Sequence, residues 1–418
     1  MKRLLPCLFF CVTTSALSAE PAVSAGRYHN LALSADGAVL WWGKNQAASY
    51  LLGQKIPPTL PQRVLDLPPA IAVAAGWEHS SAITRDGAVY EWGFSPYQVR
   101  QVYLLHPFLG ACVIPSVLSG GHGKDPCAGA ERERAALMQV PTPMRIRGVP
   151  PAVAIAAGDK STAIITRDGG VHCWNLRSFP QKVDGLEHIV SIALGQFHGV
   201  ALRNDGVVLA WGGASGGGIA YPTGESTLCA DPNPQPIFSG AVAIAASADG
   251  IYALRADGGV WAWGSGWNGD SGMPKEDNPT GKPDRYLARR IGTLEGAVQL
   301  GGGTNPSARS AQGRLAAWRR DYAAGATVMP ALPGVDGIAA VSSYSSILAL
   351  RRDGFVCTMG ENMSGTTLPN SKEYEIKAFV PVPRDGDQGP LNLIDQARPV
   401  PEGLCANIEA TRQVINAN

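Results

Sequence analysis

The sequence predicts an all-β protein, a seven-bladed β-propeller, from three observations. One short motif recurs seven times, each copy centres on an Asp-Gly or Gln-Gly pair between two apolar runs, and six copies carry a tryptophan six residues after that pair. Asp-Gly between apolar runs is a strong short-range signal for a β-hairpin. Hairpins repeated in tandem can stack around an axis, where neighbouring blades protect one another's edges.

The motif keeps a constant length, since its Asp-Gly pair always begins ten residues after its first residue. Glycine after the aspartate supplies the positive φ that such a turn needs, and the tryptophan is expected to pack between sheets. The sixth copy has Gln312 in place of the aspartate, and the seventh has Met359 in place of the tryptophan. The seven copies begin at Gly26, Gly76, Gly158, Gly195, Ser247, Gly302 and Ser343.

The chain between copies varies in length, and all of this variation falls between each tryptophan and the next copy. Loops that enlarge at one phase of a repeat cluster on one face of the array. Long loops on a rigid scaffold are also where function usually lies. We therefore expect any specific activity in these stretches rather than in the constant motif.

A linear β-solenoid is the alternative architecture, but repeat units of roughly 40 to 80 residues suit propeller blades better. We assign residues 1–19 to a signal peptide, 22–389 to the propeller and 390–418 to a C-terminal tail that packs on or closes it. Little chain precedes the first copy. We therefore expect C-terminal residues, Phe379 to Pro383 or beyond, to complete the ring.

The bulk composition argues against an electrostatic partner. The chain has 418 residues, of which 35 are Lys or Arg and 34 are Asp or Glu. Proteins that bind nucleic acid through its phosphates usually carry a basic surplus, so we expect no nucleic-acid partner. We expect a monomer with an unidentified protein partner.

The N-terminus has the pattern of a secretory signal peptide. Lys2 and Arg3 precede an apolar run from Leu4 to Leu17, and small residues follow, so cleavage is expected after Ser18 or Ala19. A membrane anchor is the alternative, but the run is too short to span a bilayer comfortably. We expect a periplasmic or secreted protein with no membrane span in the mature chain.

Cleavage of the signal peptide would remove Cys7 and Cys11 and leave six cysteines. Export would place these six in an oxidising compartment. Six cysteines permit 15 pairings, among which sequence alone does not choose. Cys112 and Cys127 share one loop and can close a short ring; Cys357 could tie down the tail through Cys405, which would leave Cys173 with Cys229.

The motif resembles the regulator of chromosome condensation repeat over residues 22 to 384. The copies GRYHNLALSADGAVLWWG, GWEHSSAITRDGAVYEWG, GDKSTAIITRDGGVHCWN and GQFHGVALRNDGVVLAWG carry the resemblance. It implies a seven-bladed propeller, and the export pattern implies a secreted, bacterial-type member. The best-known nuclear members are exchange factors for a small GTPase and contact chromatin. A secreted bacterial class inhibits β-lactamases through the propeller face, and the fourth copy is similar to its repeats.

Two recurring polar positions could hold metal ions. His29, His79 and His198 share one offset, and the Asp-Gly aspartates share another. A structural bond explains the histidines better, and turn formation explains the aspartates better. Asp270, Asp277 and Asp284 do not have calcium-loop spacing. We therefore expect no metal site, no cofactor site and no catalytic residues.

The insertion from Phe94 to Pro150 is the most distinctive stretch. We expect it either to present side chains to a protein partner or to fold over the propeller. Aromatic and arginine side chains dominate binding hot spots. The candidate protein-binding residues are Tyr97, Tyr103, His106, Phe108, Arg132 and Arg134.

These observations favour a secreted or periplasmic, non-enzymatic scaffold that binds a protein through propeller-face loops. One alternative is an extracytoplasmic hydrolase or lyase with a site at the mouth of the central channel. The other is a β-lactamase-inhibitor-like or envelope adhesion module.

Overall fold

A computed structural model shows seven antiparallel sheets of four strands, each built from a continuous stretch of chain, which confirms the all-β, seven-bladed propeller. Among its described residues, one helical turn, α1 (Thr227–Ala230), follows the fourth blade's third strand. The described residues are 19–44, 58–95, 97, 142–176, 178–212, 227–230, 232–247, 250–264, 288–302, 307–319, 327–328, 338–343, 346–362, 371, 373–384, 389–401 and 404–405.

The first three blades are built from residues 22–182. Blade 1 contains β1 (Ala22–Ala25), β2 (His29–Leu33), β3 (Val39–Gly43) and β4 (Thr59–Arg63). Blade 2 contains β5 (Ala70–Ala75), β6 (His79–Thr84), β7 (Val89–Gly93) and β8 (Met144–Arg145). Blade 3 contains β9 (Ala152–Ala157), β10 (Ser161–Thr166), β11 (Val171–Asn175) and β12 (Ser178–Lys182).

The other four blades repeat the arrangement. Blade 4 contains β13 (Ile189–Leu194), β14 (His198–Arg203), β15 (Val208–Gly212) and β16 (Gln235–Phe238). Blade 5 contains β17 (Ala241–Ala246), β18 (Gly250–Arg255), β19 (Gly259–Gly264) and β20 (Arg289–Thr293). Blade 6 contains β21 (Ala297–Gly301), β22 (Ser307–Ser310), β23 (Leu315–Arg319) and β24 (Thr327–Val328). Blade 7 contains β25 (Ile338–Ser343), β26 (Ser346–Arg351), β27 (Val356–Glu361) and β28 (Glu375–Pro381).

The first strand of every blade is the inner strand. Each inner strand contacts the inner strands of both neighbouring blades, and β25 contacts β1, so the seven inner strands form a closed ring around the axis. The blades therefore radiate from the central channel, and each blade places its fourth strand at the periphery.

The Asp-Gly turns connect blades as well as strands. Gly37 has φ of 89°, and an added Cβ would lie 2.9 Å from the Cβ of Pro69, so glycine is required there. The carbonyl of Gly37 accepts a 2.9 Å hydrogen bond from the amide of Ala70, the first residue of the next blade. The same bond joins Ala152 to Gly87 at the next junction, so each hairpin turn also anchors the blade that follows.

The motif tryptophans pack each blade onto the preceding one. Trp42 is fully buried and contacts Leu348 and Leu350 of blade 7, while Trp211 packs against residues of blade 3. Met359, which replaces the tryptophan in blade 7, is only partly buried against the blade 6–7 core. The hydrophobic core is therefore a ring of separate clusters, each filling one junction between blades.

The ring closes through residues beyond the last strand. Phe379 lies in β28, the outer strand of blade 7, and does not join blade 1. Leu391 and Leu393 are buried against Val23 and Trp42 of blade 1. The amide of Leu393 donates to Gly354 of blade 7 at 2.9 Å, and its carbonyl accepts from Ala35 of blade 1 at 3.0 Å.

Candidate functional site

The propeller has two distinct faces. The chain leaving each tryptophan lies beside the turn between the first two strands, since the amides of Lys44 and Phe94 donate to Tyr28 and Glu78, respectively. We call this side, with the variable insertions, the loop face. The opposite side carries the Asp-Gly turns and is called the turn face.

The repeated histidines are structural. His29 hydrogen-bonds Ser80 of the next blade at 2.8 Å, and His79 hydrogen-bonds Thr162 of the next blade at 3.0 Å. His198 bonds to the backbone of Gly250, again one blade further on. All three are at most 7% exposed, and burial lowers the pKa to about 4 for His29 and His198 and to about 3 for His79. These neutral imidazoles connect neighbouring blades.

The Asp-Gly carboxylates are used by their own turns. Asp36 accepts hydrogen bonds from the Ser34 hydroxyl at 2.5 Å and from the Ala38 amide at 3.0 Å, and these bonds lower its pKa. Bonding to Arg203 likewise lowers the pKa of Asp205 to about 2. Within the described residues, no group of three His, Cys, Asp or Glu side chains is placed to hold a metal ion. Asp270, Asp277 and Asp284 lie outside those residues.

Glu91 is a fully buried carboxylate at the junction of blades 2 and 3. Its Oε1 accepts hydrogen bonds from Thr162 at 2.5 Å and from the Trp174 indole at 2.9 Å, and its Oε2 accepts one from Ser95. The amide of Tyr97 is a further donor. Burial raises the pKa of Glu91, and these four donors oppose the rise. The network fixes the start of the long second-blade insertion against blade 3.

Most of the insertion predicted to bind protein lies outside the described residues, namely Tyr103, His106, Phe108, Cys112, Cys127, Arg132 and Arg134. Tyr97 is described and is 7% exposed. Its ring packs edge-on against Phe179 of blade 3, with centroids 6.2 Å apart. The structure therefore places Tyr97 in a junction core.

Two predicted disulfides are present. Cys173 and Cys229 join blade 3 to helical turn α1 in the insertion of blade 4, with Cα atoms 5.3 Å apart. Cys357 and Cys405 join blade 7 to the C-terminal tail, with Cα atoms 5.6 Å apart. Both bonds therefore attach a segment outside the repeat to the third strand of a blade.

An aromatic and charged cluster lies on the loop face where blades 1 and 2 meet the channel. The Arg27 guanidinium lies 3.9 Å from the ring centroid of Trp77 and 5.4 Å from that of Tyr28. Backbone bonds hold the cluster in place, since the amides of Arg27 and Trp77 donate to the carbonyls of Gly76 and Gly158, respectively, in the following blades. The cluster is thus supported by the ring of inner strands.

Opposite charges adjoin the cluster. Glu78 lies beside Trp77, and burial raises its pKa while the charges of Lys160 and Arg27 oppose that rise. A cleft of about 380 Å³ between blades 1 and 2 opens next to Glu78 and is lined in part by Trp41, Lys44 and Trp92. The site therefore combines half-buried aromatic rings, charges of both signs and a concave surface.

The sequence did not predict this cluster, because the whole span from the leading glycine to the tryptophan has the pattern of a structural repeat. A signal was present in the two residues that follow each leading glycine. They read Arg-Tyr, Trp-Glu, Asp-Lys and Gln-Phe in the first four blades, while the flanking positions repeat. A position that varies within a constant repeat indicates a surface that the fold does not constrain.

Residues 22–47 and 189–217 match the family model of the Regulator of chromosome condensation (RCC1) repeat. These segments contain the first three strands of blades 1 and 4. The crystal structure of Prp20p from Saccharomyces cerevisiae is similar, with a TM-score of 0.62 and 18% identity over 85% of this chain and 88% of that chain. The fold is an RCC1-like propeller. Human WBSCR16 is also similar, with a TM-score of 0.53 and 14% identity over 83% of this chain and 95% of its own.

Proteins similar to this chain in sequence match it over shorter stretches than the solved structures do. Protein pim1 of Schizosaccharomyces pombe is 24% identical over 194 residues, 39% of this chain and 35% of pim1. The mitochondrial RCC1 domain-containing protein RUG3 of Arabidopsis thaliana is 28% identical over 156 residues, 33% of this chain and 34% of RUG3. The chain thus spans about a third of the length of these two relatives. No helix within the described ranges is long and apolar enough to cross a bilayer.

Proposed function

We propose that this RCC1-like propeller is a non-enzymatic scaffold that binds a protein partner through its loop face. The observation that carries the proposal is the Arg27–Trp77 stack at the channel mouth, with Tyr28 beside it. Trp, Tyr and Arg are the residues most enriched in binding hot spots. Stacking holds the Arg27 side chain in place, which lowers the entropy lost when a partner binds.

Partner recognition would use the charges and the cleft beside this stack. Glu78 and Lys160 offer charges of opposite sign, which favour one orientation of a complementary surface. The cleft between blades 1 and 2 can accept a protruding side chain. Prp20p, which shares the fold, is described with binding properties to Gsp1p and histones, so this type of propeller supports protein binding.

The ionisable groups buried in the junctions support a scaffold rather than an enzyme. His29 and His79 are bonded to the next blade, and Glu91 receives four hydrogen bonds. Catalytic acids and bases must instead be able to reach a substrate. His79 and Glu91 hold blades together inside junctions, while His29 lines the cleft beside Glu78 and is held there by its bond to Ser80.

We also propose that the protein is exported to the periplasm or the medium and acts there as a monomer. The signal-peptide pattern of residues 1–19 and the two disulfides support export, since structural disulfides persist in oxidising compartments. Cell fractionation with mass measurement of the purified protein tests this. Recovery of the uncleaved chain with reduced cysteines in the cytoplasm would refute the location.

The binding proposal is tested by truncating the stack. A partner is first recovered by cross-linking to the native protein, and its affinity for purified variants is then measured by calorimetry. Trp77→Ala is expected to weaken binding by roughly 30-fold, the effect of losing about 2 kcal/mol at a hot spot. Arg167→Ala, an exposed arginine of the turn face, is the matched control and should bind as wild type.

Two outcomes would contradict the proposal. The first is a partner whose affinity is unchanged by both Trp77→Ala and Arg27→Ala. The second is steady turnover of a glycan or ester by the purified protein, which would favour an enzyme.

A further inference from the structure

The turn face carries a regular set of exposed aliphatic side chains. In six blades the second residue of the inner strand is skipped in the pairing with the second strand, which forms a β-bulge. In five of them, blades 2 to 6, this residue is Ile or Val. These residues are 40–58% exposed. We call the set the bulge ring: Ile71, Val153, Val190, Val242 and Val298.

The bulge ring lies along one mouth of the central channel, on the five consecutive blades 2 to 6. Its members lie at the start of inner strands, next to the Asp-Gly turns, since Ala70 and Ala241 bond the turn glycines of the preceding blades. Exposed aliphatic residues scattered singly need no explanation, whereas a contiguous apolar patch marks an interaction site. Their recurrence at one position of five consecutive blades places all of them on the same side of the propeller.

Blade 6 adds a positive charge beside this ring. Arg309 pairs across the strands with Gln299, the residue after Val298, and its Nε donates to the Gln299 side chain at 2.9 Å. The other six blades carry a buried aliphatic residue at this offset: Leu33, Ile83, Ile165, Leu202, Leu254 and Leu350. A partly buried arginine thus replaces a core side chain.

A second arginine reaches the same place from blade 7. The Arg352 guanidinium donates to the carbonyl of Ala311 in the blade 6 turn at 2.6 Å, and its charge, together with burial, lowers the pKa of Arg309. Neighbouring carboxylates in the described parts of these blades have other partners. Asp353 is bonded through both oxygens by Arg351, and Glu295 lies 4.0 Å from Arg314.

The two guanidinium groups bond consecutive carbonyls, since Arg309 also donates to Ser310 at 3.3 Å while Arg352 donates to Ala311. Their like charges repel each other, and a bound anion would relieve that repulsion. A carboxylate can bridge two guanidinium groups with charge-assisted hydrogen bonds. Aliphatic side chains next to it would bury the exposed members of the bulge ring, at roughly 25 cal/mol per Å² of apolar surface. A nucleic acid offers the anion but no aliphatic groups, so it fits only half of this surface.

We propose that the turn face binds an extended segment of a partner protein in which a carboxylate lies beside aliphatic side chains. The carboxylate binds Arg309 and Arg352, and the aliphatic side chains pack on the bulge ring at the channel mouth. This surface is separate from the loop-face stack, so either one can fail without the other.

The test is selection of a displayed library of random twelve-residue peptides on the intact, disulfide-bonded protein. Enriched peptides should carry Asp or Glu next to Leu, Ile or Val. A synthetic copy of the leading peptide should bind wild type and lose at least about tenfold in affinity with Arg309→Leu, since one charge-assisted bond contributes that much or more. Arg309→Leu also restores the core residue of the other blades, so it should raise the melting temperature while it weakens binding.

Additional variants keep the outcome clear. Arg352 is exposed, so Arg352→Ala should weaken peptide binding without affecting the core. The double variant Val190→Ser/Val242→Ser should weaken peptide binding as well. Arg203→Ala is the matched control, because this turn-face arginine is already paired with Asp205 at 2.8 Å. Trp77→Ala on the loop face should also leave peptide affinity unchanged.

Several results would overturn the proposal. They are a selection that enriches no peptide, enriched peptides that lack acidic residues, and affinity that is unchanged by both Arg309→Leu and Arg352→Ala. Loss of binding with Trp77→Ala would place the peptide on the loop face instead. Tighter binding of a DNA oligonucleotide at the same arginines would replace the protein partner with a nucleic acid.

Discussion

The junction between blades 2 and 3 differs from the junction between blades 7 and 1 in how it is held. Blades 2 and 3 are joined by continuous chain and by a polar network in which Glu91 accepts bonds from Thr162 and Trp174. Blades 7 and 1 have no such connector, and Leu391 and Leu393 of the tail fill the junction with apolar side chains.

The backbone contacts that close the ring are nevertheless equivalent to those between blades 1 and 2. Between blades 1 and 2, the connector donates from Ala70 to Gly37 and accepts from Arg85 through Pro69. Between blades 7 and 1, Leu393 makes both equivalent bonds by itself, since its amide donates to Gly354 and its carbonyl accepts from Ala35. The tail therefore reproduces the connector that chain continuity supplies elsewhere, which means that closure depends on a segment outside the repeats.

The largest expected effect comes from removing the tail. A chain ending at Gly389 loses Leu391, Leu393 and the Cys357–Cys405 bond, and we expect its free energy of unfolding to fall by more than about 5 kcal/mol. Urea unfolding followed by circular dichroism measures this. A chain ending at Cys405 keeps these contacts and should unfold like the full chain. Equal stability of the Gly389 and Cys405 chains would show that the tail does not close the ring.

Glu91→Ala tests the polar junction and should cost about 2–4 kcal/mol, because the Thr162, Trp174 and Ser95 donors lose their buried acceptor. Alanine itself suits this position, since blades 4 and 5 carry Ala210 and Ala262 there. Urea unfolding of Glu91→Ala, Trp174→Phe and the double variant gives the coupling between the two side chains. Additive effects would argue that the network does not act as a unit.

Acid should weaken the histidine junctions before the tail junction. Above pH 6.5 these imidazoles are neutral in both the folded and the unfolded chain, so they do not make the free energy of unfolding depend on pH. Between pH 6.5 and about 4, the unfolded chain binds protons that buried His29, His79 and His198 reject. The free energy of unfolding then falls by up to about 1.4 kcal/mol per pH unit for each histidine.

Unfolding at pH 7.5 and at pH 5 measures this slope. The raised pKa of Glu91 has the opposite sign. Between that raised pKa and pH 4.5, the ordinary value of its carboxyl, the folded chain binds a proton that the unfolded chain does not, so the free energy of unfolding rises as the pH falls through this window. Serine occupies the histidine position in blades 3 and 7, so the variant His29→Ser/His79→Ser/His198→Ser is the matched control. A slope that persists in this variant would assign the acid sensitivity to other groups.

The smallest expected effect is at a single turn. Asp36→Ala removes the acceptor of the Ser34 hydroxyl and the Ala38 amide, at an exposed site, and should cost about 0.5–1 kcal/mol. Asp353→Ala should cost more, because Asp353 also holds Arg351, which donates to Leu404 of the tail at 2.9 Å. Thermal unfolding of both variants compares them. If the two variants lose the same amount of stability, the blade 7 turn does not contribute to ring closure.

Much of the fold was predictable, since the hairpin period and the Asp-Gly turns are local. The bonds between Gly37 and Ala70 and between Leu393 and Ala35 were not, because they join residues far apart in the chain or beyond the repeat. The histidines were predicted to bond a nearby group, whereas His29 and His79 bond the hydroxyls of Ser80 and Thr162 one blade away. The loop-face stack was missed because Arg27 and Trp77 meet only when blades 1 and 2 are side by side.

By itself, the sequence determined the number of blades, the hairpin in each blade and the variable loops after each tryptophan. These follow from glycine conformation, hydrophobic alternation and repeat period, which act over a few residues. Only the tertiary structure decided how the tail closes the ring, that Glu91 is buried between blades 2 and 3, and that Arg309 and Arg352 bond neighbouring carbonyls. Those facts depend on packing between blades, where the free energy of a side chain is set by neighbours that the sequence does not place next to it.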